Sequence, residues 1–150
     1  MLNDKIQKYL FGLLLSEKPV FYKHVSDDKI AFMDGVRFFI FPIDKVKFDI
    51  SKCEETDKLT DNIQKVAEDV EVKITEECRA NDDCGIIYRK LVSSTGRDIW
   101  VNGKYIKDYR KYTFFVYSNY KRILVVDDYG EPIAALLPAR IDNEEIMLAE

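Results

Sequence analysis

The side chains able to do chemistry in this 150-residue chain are few, and their spacing assembles no reaction centre. His24 is the single histidine and lies between Lys23 and Val25 in an apolar, strand-like stretch. A lone imidazole there reads as a structural or exposed residue; a nucleophile pair would need a cysteine beside it in space. Cys53, Cys78 and Cys84 are odd in number and form no C-x-x-C pair, which argues against a zinc site or a disulfide framework. They read as reduced thiols, with a Cys78–Cys84 bridge across a short loop left open. The carboxylate pairs Glu54-Glu55, Glu76-Glu77, Asp82-Asp83 and Asp127-Asp128 are adjacent in sequence. Neighbouring side chains on a strand point to opposite faces, so these pairs serve to solvate loops rather than to share a proton. There is no glycine-rich phosphate loop and no H-E-x-x-H. The expectation is a protein with no catalytic residues, no cofactor and no metal.

One cluster does have spacing suited to a task. At 100° per helical residue, Lys104, Lys107 and Lys111 fall together opposite a Tyr105/Ile106/Tyr109 stripe, with Arg110 at the flank. From Val101 to Arg122 there are six basic residues and one acid, in a chain whose net charge is -4. Such a local excess of positive charge marks a candidate contact face. A merely solvated charged face is the alternative. The overall negative charge argues against wholesale coating of nucleic acid, and the aromatics are spread through strands rather than set for RNA stacking.

The elements that must position these residues are legible in part. A chain of this length is most simply one domain and buries enough surface to fold without a staple. Asn3 can cap a first helix with Ile6, Tyr9, Leu10, Leu13 and Leu14 on one stripe, ended by Pro19. Phe11 and Leu15 point away from that stripe, which suggests a protein contact. The apolar stretch from Tyr9 to Leu15 is too short to span a bilayer and does not read as a signal peptide, so a cytoplasmic protein with no membrane partner is expected. Strands are expected at Val20–Val25, Lys29–Met33 and Val36–Phe41, the last pair joined by an Asp34-Gly35 turn that favours a tight type I′ hairpin. Between Cys53 and Asp69 the texture becomes helical, with Leu59, Ile63, Val66 and Val70 spaced for a surface helix capped by Thr56 or Asp57. Further strands are expected at Glu71–Thr75, Ile86–Ser93 and Arg97–Val101. A short helix follows from an Asn102 cap, with Tyr105, Ile106, Tyr109 and Tyr112 inward. The strands Thr113–Tyr117, Ile123–Asp127 and Pro132–Leu137 close the domain. No internal repeat is visible in the sequence. Residues Asp142–Glu150 carry four acids and no base, and read as a tail.

Three segments in this order resemble one domain of the bacterial DNA polymerase III β sliding clamp, closest to its C-terminal domain. Met33-Asp34-Gly35-Val36-Arg37-Phe38 sits where the clamp carries T-D-G-H-R-L. Val101-Asn102-Gly103-Lys104-Tyr105-Ile106 matches a segment like F-N-x-x-Y-L that starts the clamp's second helix. Leu137-Pro138-Ala139-Arg140 matches the M-P-M-R or L-P-V-R run that ends its last strand. Val36 replaces the usual His, and Ala139 is smaller than the usual Met or Val. A clamp chain strings three such domains into a six-domain ring, whereas this chain has one, and the helical stretch after Cys53 is a departure.

The resemblance implies an α+β, DNA-clamp-like single domain over residues 1–141. Its antiparallel sheets would carry two packed helices, an extra surface helix and the 142–150 tail. It also implies a non-catalytic module associated with DNA replication. In such a module Gly35, Arg37, Phe38, Leu136, Leu137, Pro138 and Arg140 would line a cleft for clamp-binding peptide motifs of replication or repair proteins. Lys104, Lys107, Arg110 and Lys111 would face DNA, with self-assembly around it as one form. The alternative is a clamp-fold adaptor that binds another protein through the Phe11/Leu15 face and has no direct DNA role.

Overall fold

A computed structural model describes residues 2–35, 37–56, 69–81, 85–94, 96–116 and 122–139. Helix α1 (Leu2–Leu15) leads into strands β1 (Phe21–Ser26), β2 (Lys29–Met33) and β3 (Arg37–Pro42). A two-residue strand β4 (Glu54–Glu55) precedes β5 (Val70–Asn81), β6 (Ile86–Ser93) and β7 (Asp98–Asn102). Helix α2 (Gly103–Ile106) continues as a 3₁₀ turn at Lys107–Tyr109. Strands β8 (Thr113–Val116), β9 (Ile123–Val126) and β10 (Pro132–Leu136) follow. The fold class is mixed α/β.

Among the described residues the ten strands belong to one sheet in the order β4-β1-β2-β3-β10-β9-β8-β5-β6-β7. The expectation of separate antiparallel sheets is therefore corrected to a single sheet, and its edge pair β1/β4 is parallel. Flat, ten strands would span roughly 43 Å. Yet one apolar cluster holds Phe32 of β2, Phe39 of β3, Leu91 of β6 and Val101 of β7 together with Leu10 of α1 and Ile106 of α2. The sheet must therefore curl over the helices. Beyond β10 the Ala139 N–H donates to the Trp100 carbonyl of edge strand β7 at 2.7 Å, which ties the curl.

Alternation dictates the two faces of the central strands. Ile30, Phe32, Phe39, Phe41, Ile123, Val125, Ala134 and Leu136 face the helices. Ala31, Phe38, Ile40, Leu124, Val126 and Ala135 form a second buried cluster on the reverse. The order β1-β2-β3-β10-β9-β8 is symmetric about the β3/β10 pair, and each half is a helix followed by three meandering strands. That repeat lives in topology alone.

Helix α1 buries Ile6 and Leu10 as its spacing predicts, and fully burying a leucine is worth about 2 kcal/mol. Asn3 lies inside the helix rather than at its cap. The helix stops before Pro19, because Lys18 N–H reaches the Leu13 carbonyl (2.9 Å) and Glu17 N–H the Leu14 carbonyl (3.1 Å). Glu17 takes the left-handed conformation (φ 61°) that this cap demands and that glycine fills at lower cost. At α2 the Asn102 side chain accepts from Lys104 N–H (3.0 Å), the expected cap. The Cys53–Asp69 helix falls largely outside the described residues. Its expected member Val70 is instead a strand residue of β5 opposite Val116 of β8. Where β5 and β9 begin, Arg122 meets Asp69 at 3.0 Å with almost no exposure of either side chain. Removing one partner of such a pair costs about 3–5 kcal/mol. Among the described residues no helix is long and apolar enough to cross a membrane.

Candidate binding surfaces

Of the three segments of resemblance, the one around Asp34–Phe38 and the one that begins at Leu137 are brought together. Strands β3 and β10 are antiparallel neighbours with Leu136 opposite Arg37 and Ala135 opposite Phe38. Gly35 takes a positive φ of 104° but Asp34 does not, so the expected type I′ turn centred on Asp34-Gly35 is not formed; Asp34 instead flanks the turn, its N–H donating to the Arg37 carbonyl at 3.2 Å. The turn type also depends on Val36, which lies outside the described residues, as does Arg140. Leu136 is buried under the helices and Phe38 on the reverse of the sheet. Leu137 is 45% exposed, and Pro138 half-buried.

Arg37 has partners of its own. Its Nη2 and Nε donate to Asp34 Oδ2 at 2.9 and 3.1 Å, and its backbone N–H donates to Asp34 Oδ1 at 2.8 Å. Tyr9 of α1 donates its hydroxyl to the same Oδ2 at 2.7 Å. The guanidinium carbon stands 5.1 Å from the ring centres of Tyr9 and Phe39 and 4.6 Å from that of Tyr105. Burial works against this charge, but the Asp34 carboxylate beside it prevails and holds the Arg37 pKa above its ordinary value. Tyr9 is pushed up, first by burial and then by donating to Asp34. This cluster therefore joins α1, the β2–β3 turn and α2. It accounts for Tyr9, expected on the buried stripe but 41% exposed. Nearby, burial drives Tyr109 far above the ordinary phenol range.

On the outer side of the helices the picture is open. Lys104, Lys107, Arg110 and Lys111 are all exposed, as their spacing predicts. Helix α1 lies alongside, joined by Lys5 Nζ to Asp108 Oδ1 at 2.7 Å. The two helical segments together present Lys5, Lys8, Lys104, Lys107, Arg110 and Lys111 against only Asp4 and Asp108. Arg110 reaches Glu76 at 3.6 Å, and Lys111 lies over the Tyr112 ring at 5.2 Å.

Phe11 (46%) and Leu15 (69%) are exposed, as read from the sequence. Sequence reasoning missed their neighbours. A groove of about 560 Å³ runs beside α1, lined by Asp4, Lys5, Gln7, Lys8, Phe11, Lys47 and Phe48. Gln7 builds it. Its Nε2 donates to the Lys45 carbonyl and its Oε1 accepts from Lys47 N–H, both at 2.8 Å. Phe48 is held by Phe32 at 5.1 Å between ring centres. The segment after β3 carries no periodicity, and the tether is a single glutamine on α1, so no sequence signal pointed to the groove.

The remaining chemistry is sparse. His24 is exposed and stands edge-on to Tyr22 at 6.0 Å. Cys53 and Cys78 are free thiols, and burial, then the charge of Asp49, raises the pKa of Cys53. Among the described residues no three His, Cys, Asp or Glu side chains are grouped to hold a metal ion. Comparison with protein-family models, curated proteins and solved structures finds no match for this chain.

Proposed function

We propose that the chain is a non-catalytic binding module with a sliding-clamp-like layout, whose helical layer faces the phosphates of duplex DNA in a replication setting. The observation that carries the reading is the pairing of α1 and α2 on one face of a curled sheet. Their outer surface carries six cations against two acids, in a chain of net charge -4. Phosphate contacts of this kind are weak, sequence-independent and salt-sensitive. A single domain gains residence on DNA by assembling around it, through unlike edges such as β4 and the part of β7 that Ala139 does not take. Leu137 and Pro138, beside Gly35 and Arg37, are the strip proposed to take clamp-binding peptide motifs, with Phe38 and Leu136 buried on either face of the same strand pair.

The test is fluorescence anisotropy of a labelled duplex of about 30 base pairs, titrated from about 20 to 200 mM salt. Neutralising four phosphates gives a log–log slope of about -3.6, and Lys104→Glu with Lys107→Glu flattens it by about two. Absence of binding at the lowest salt, or a slope untouched by both substitutions, contradicts the reading. A second reading, an adaptor with no DNA role, is favoured by the exposure of Phe11 and Leu15. Light scattering over a concentration series separates forms of the first: a closed oligomer fits a ring, and a monomer rules out an unaided one.

A further inference from the structure

We propose that the groove between α1 and the Lys47–Phe48 segment is a docking site for a short acidic peptide with a bulky apolar anchor, contributed by a partner protein. The floor is apolar: Phe11 is 46% exposed, and Phe48 is partly buried against Phe32. The rim is cationic, with Lys5, Lys8 and Lys47 against Asp4 alone. Lys5 is engaged by Asp108, and Lys47 reaches Asp4 at 3.5 Å. Lys8 has no ionic or hydrogen-bonding partner among the described residues. One free ammonium, a second held loosely, and an aromatic floor complement a carboxylate next to a Phe, Leu or Met side chain. The groove is preformed, because Gln7 ties its far wall to α1 through two backbone groups. Binding there orders the peptide alone.

The site lies apart from the Leu137–Pro138 strip; it shares Lys5 and Lys8 with the face proposed for DNA, but its aromatic floor and Lys47 are its own. Panning a random phage-displayed twelve-residue library, roughly the length that spans such a groove, on the full chain tests it. Recovered peptides are expected to share an apolar anchor flanked by Asp or Glu. They should lose about tenfold or more in affinity on Phe11→Ala and on Lys8→Glu. Both positions are exposed, so the urea midpoint should hold. Lys104→Glu with Lys107→Glu should leave peptide affinity unchanged, so failure of the DNA reading is seen separately. The proposal is overturned if no peptide is enriched, if the peptides lack the acidic–apolar signature, or if both groove variants bind them normally. Capture only after removal of residues 142–150 assigns the groove to the chain's own acidic tail and overturns it. So does self-association abolished by Phe11→Ala, which assigns the groove to a second copy.

Discussion

The Arg37 cluster and the outer layer of α1 and α2 are built from the same materials, cationic side chains beside aromatic rings, and are used in opposite ways. Arg37 is closed in by Asp34, Tyr9, Phe39 and Tyr105, and its carboxylate partner is 1% exposed. Lys8, Lys104 and Lys107 point into solvent and have no such enclosure. A charge answered inside the fold acts as a structural bolt, and a charge left unanswered on a rigid element is what remains for a partner.

Substitutions in the two regions should therefore diverge, in stability first. Arg37→Ala strands the buried Asp34 carboxylate and removes three ring contacts, so urea denaturation should show a loss of about 3 kcal/mol or more. Arg37→Lys should recover only part of it, because an ammonium cannot reproduce the bidentate geometry. A loss below about 0.5 kcal/mol would break the contrast. Gln7→Ala, at the joint between α1 and the Lys45–Lys47 segment, leaves two backbone groups without their partner and should cost about 2 kcal/mol. The same variant should weaken any groove ligand.

The alkaline limb sharpens the comparison further. The Tyr109 pKa is raised in the folded chain, so the unfolded state releases its proton first, near pH 10. Its contribution is intact below that pH and is lost as pH climbs toward the folded pKa, at about 1.4 kcal/mol per pH unit. Tyr109→Phe should flatten this limb in pH-dependent melts, and an unchanged limb would place the hydroxyl in water. Glu17→Gly relieves the left-handed residue at the α1 cap and should raise stability by about 1 kcal/mol, read from the urea midpoint. Lys104→Glu with Lys107→Glu should change stability by less than about 0.5 kcal/mol, the smallest effect of the series.

Much of this architecture was legible in the sequence because alternation and helical spacing are local signals. β2 and β6 fall where their apolar runs end, and Asn102 caps α2 as read. The two-fold order about β3/β10 was not legible, because it repeats connectivity and not residues. The length of β5 was hidden by a break in register between Ile74 and Cys78, which disturbs the period of two. Lys104, Lys107 and Lys111 are exposed as α-helical spacing suggested, although only Lys104 lies in α2 and the other two follow in the 3₁₀ turn and the turn after it. The sequestering of Arg37 did not follow from spacing, since it takes Tyr9 from α1 and Tyr105 from α2 to close the cage. Lys47 and Phe48 joined the groove through a single buried glutamine, which no pattern announces.

The most direct measurement is hydrogen exchange of the full chain with and without a short DNA duplex at low salt. The account predicts added protection confined to α1 and residues 103–111, with the β2–β3 turn and the end of β10 unchanged. Protection concentrated at the Arg37 cluster, or none anywhere at saturating duplex, would contradict it.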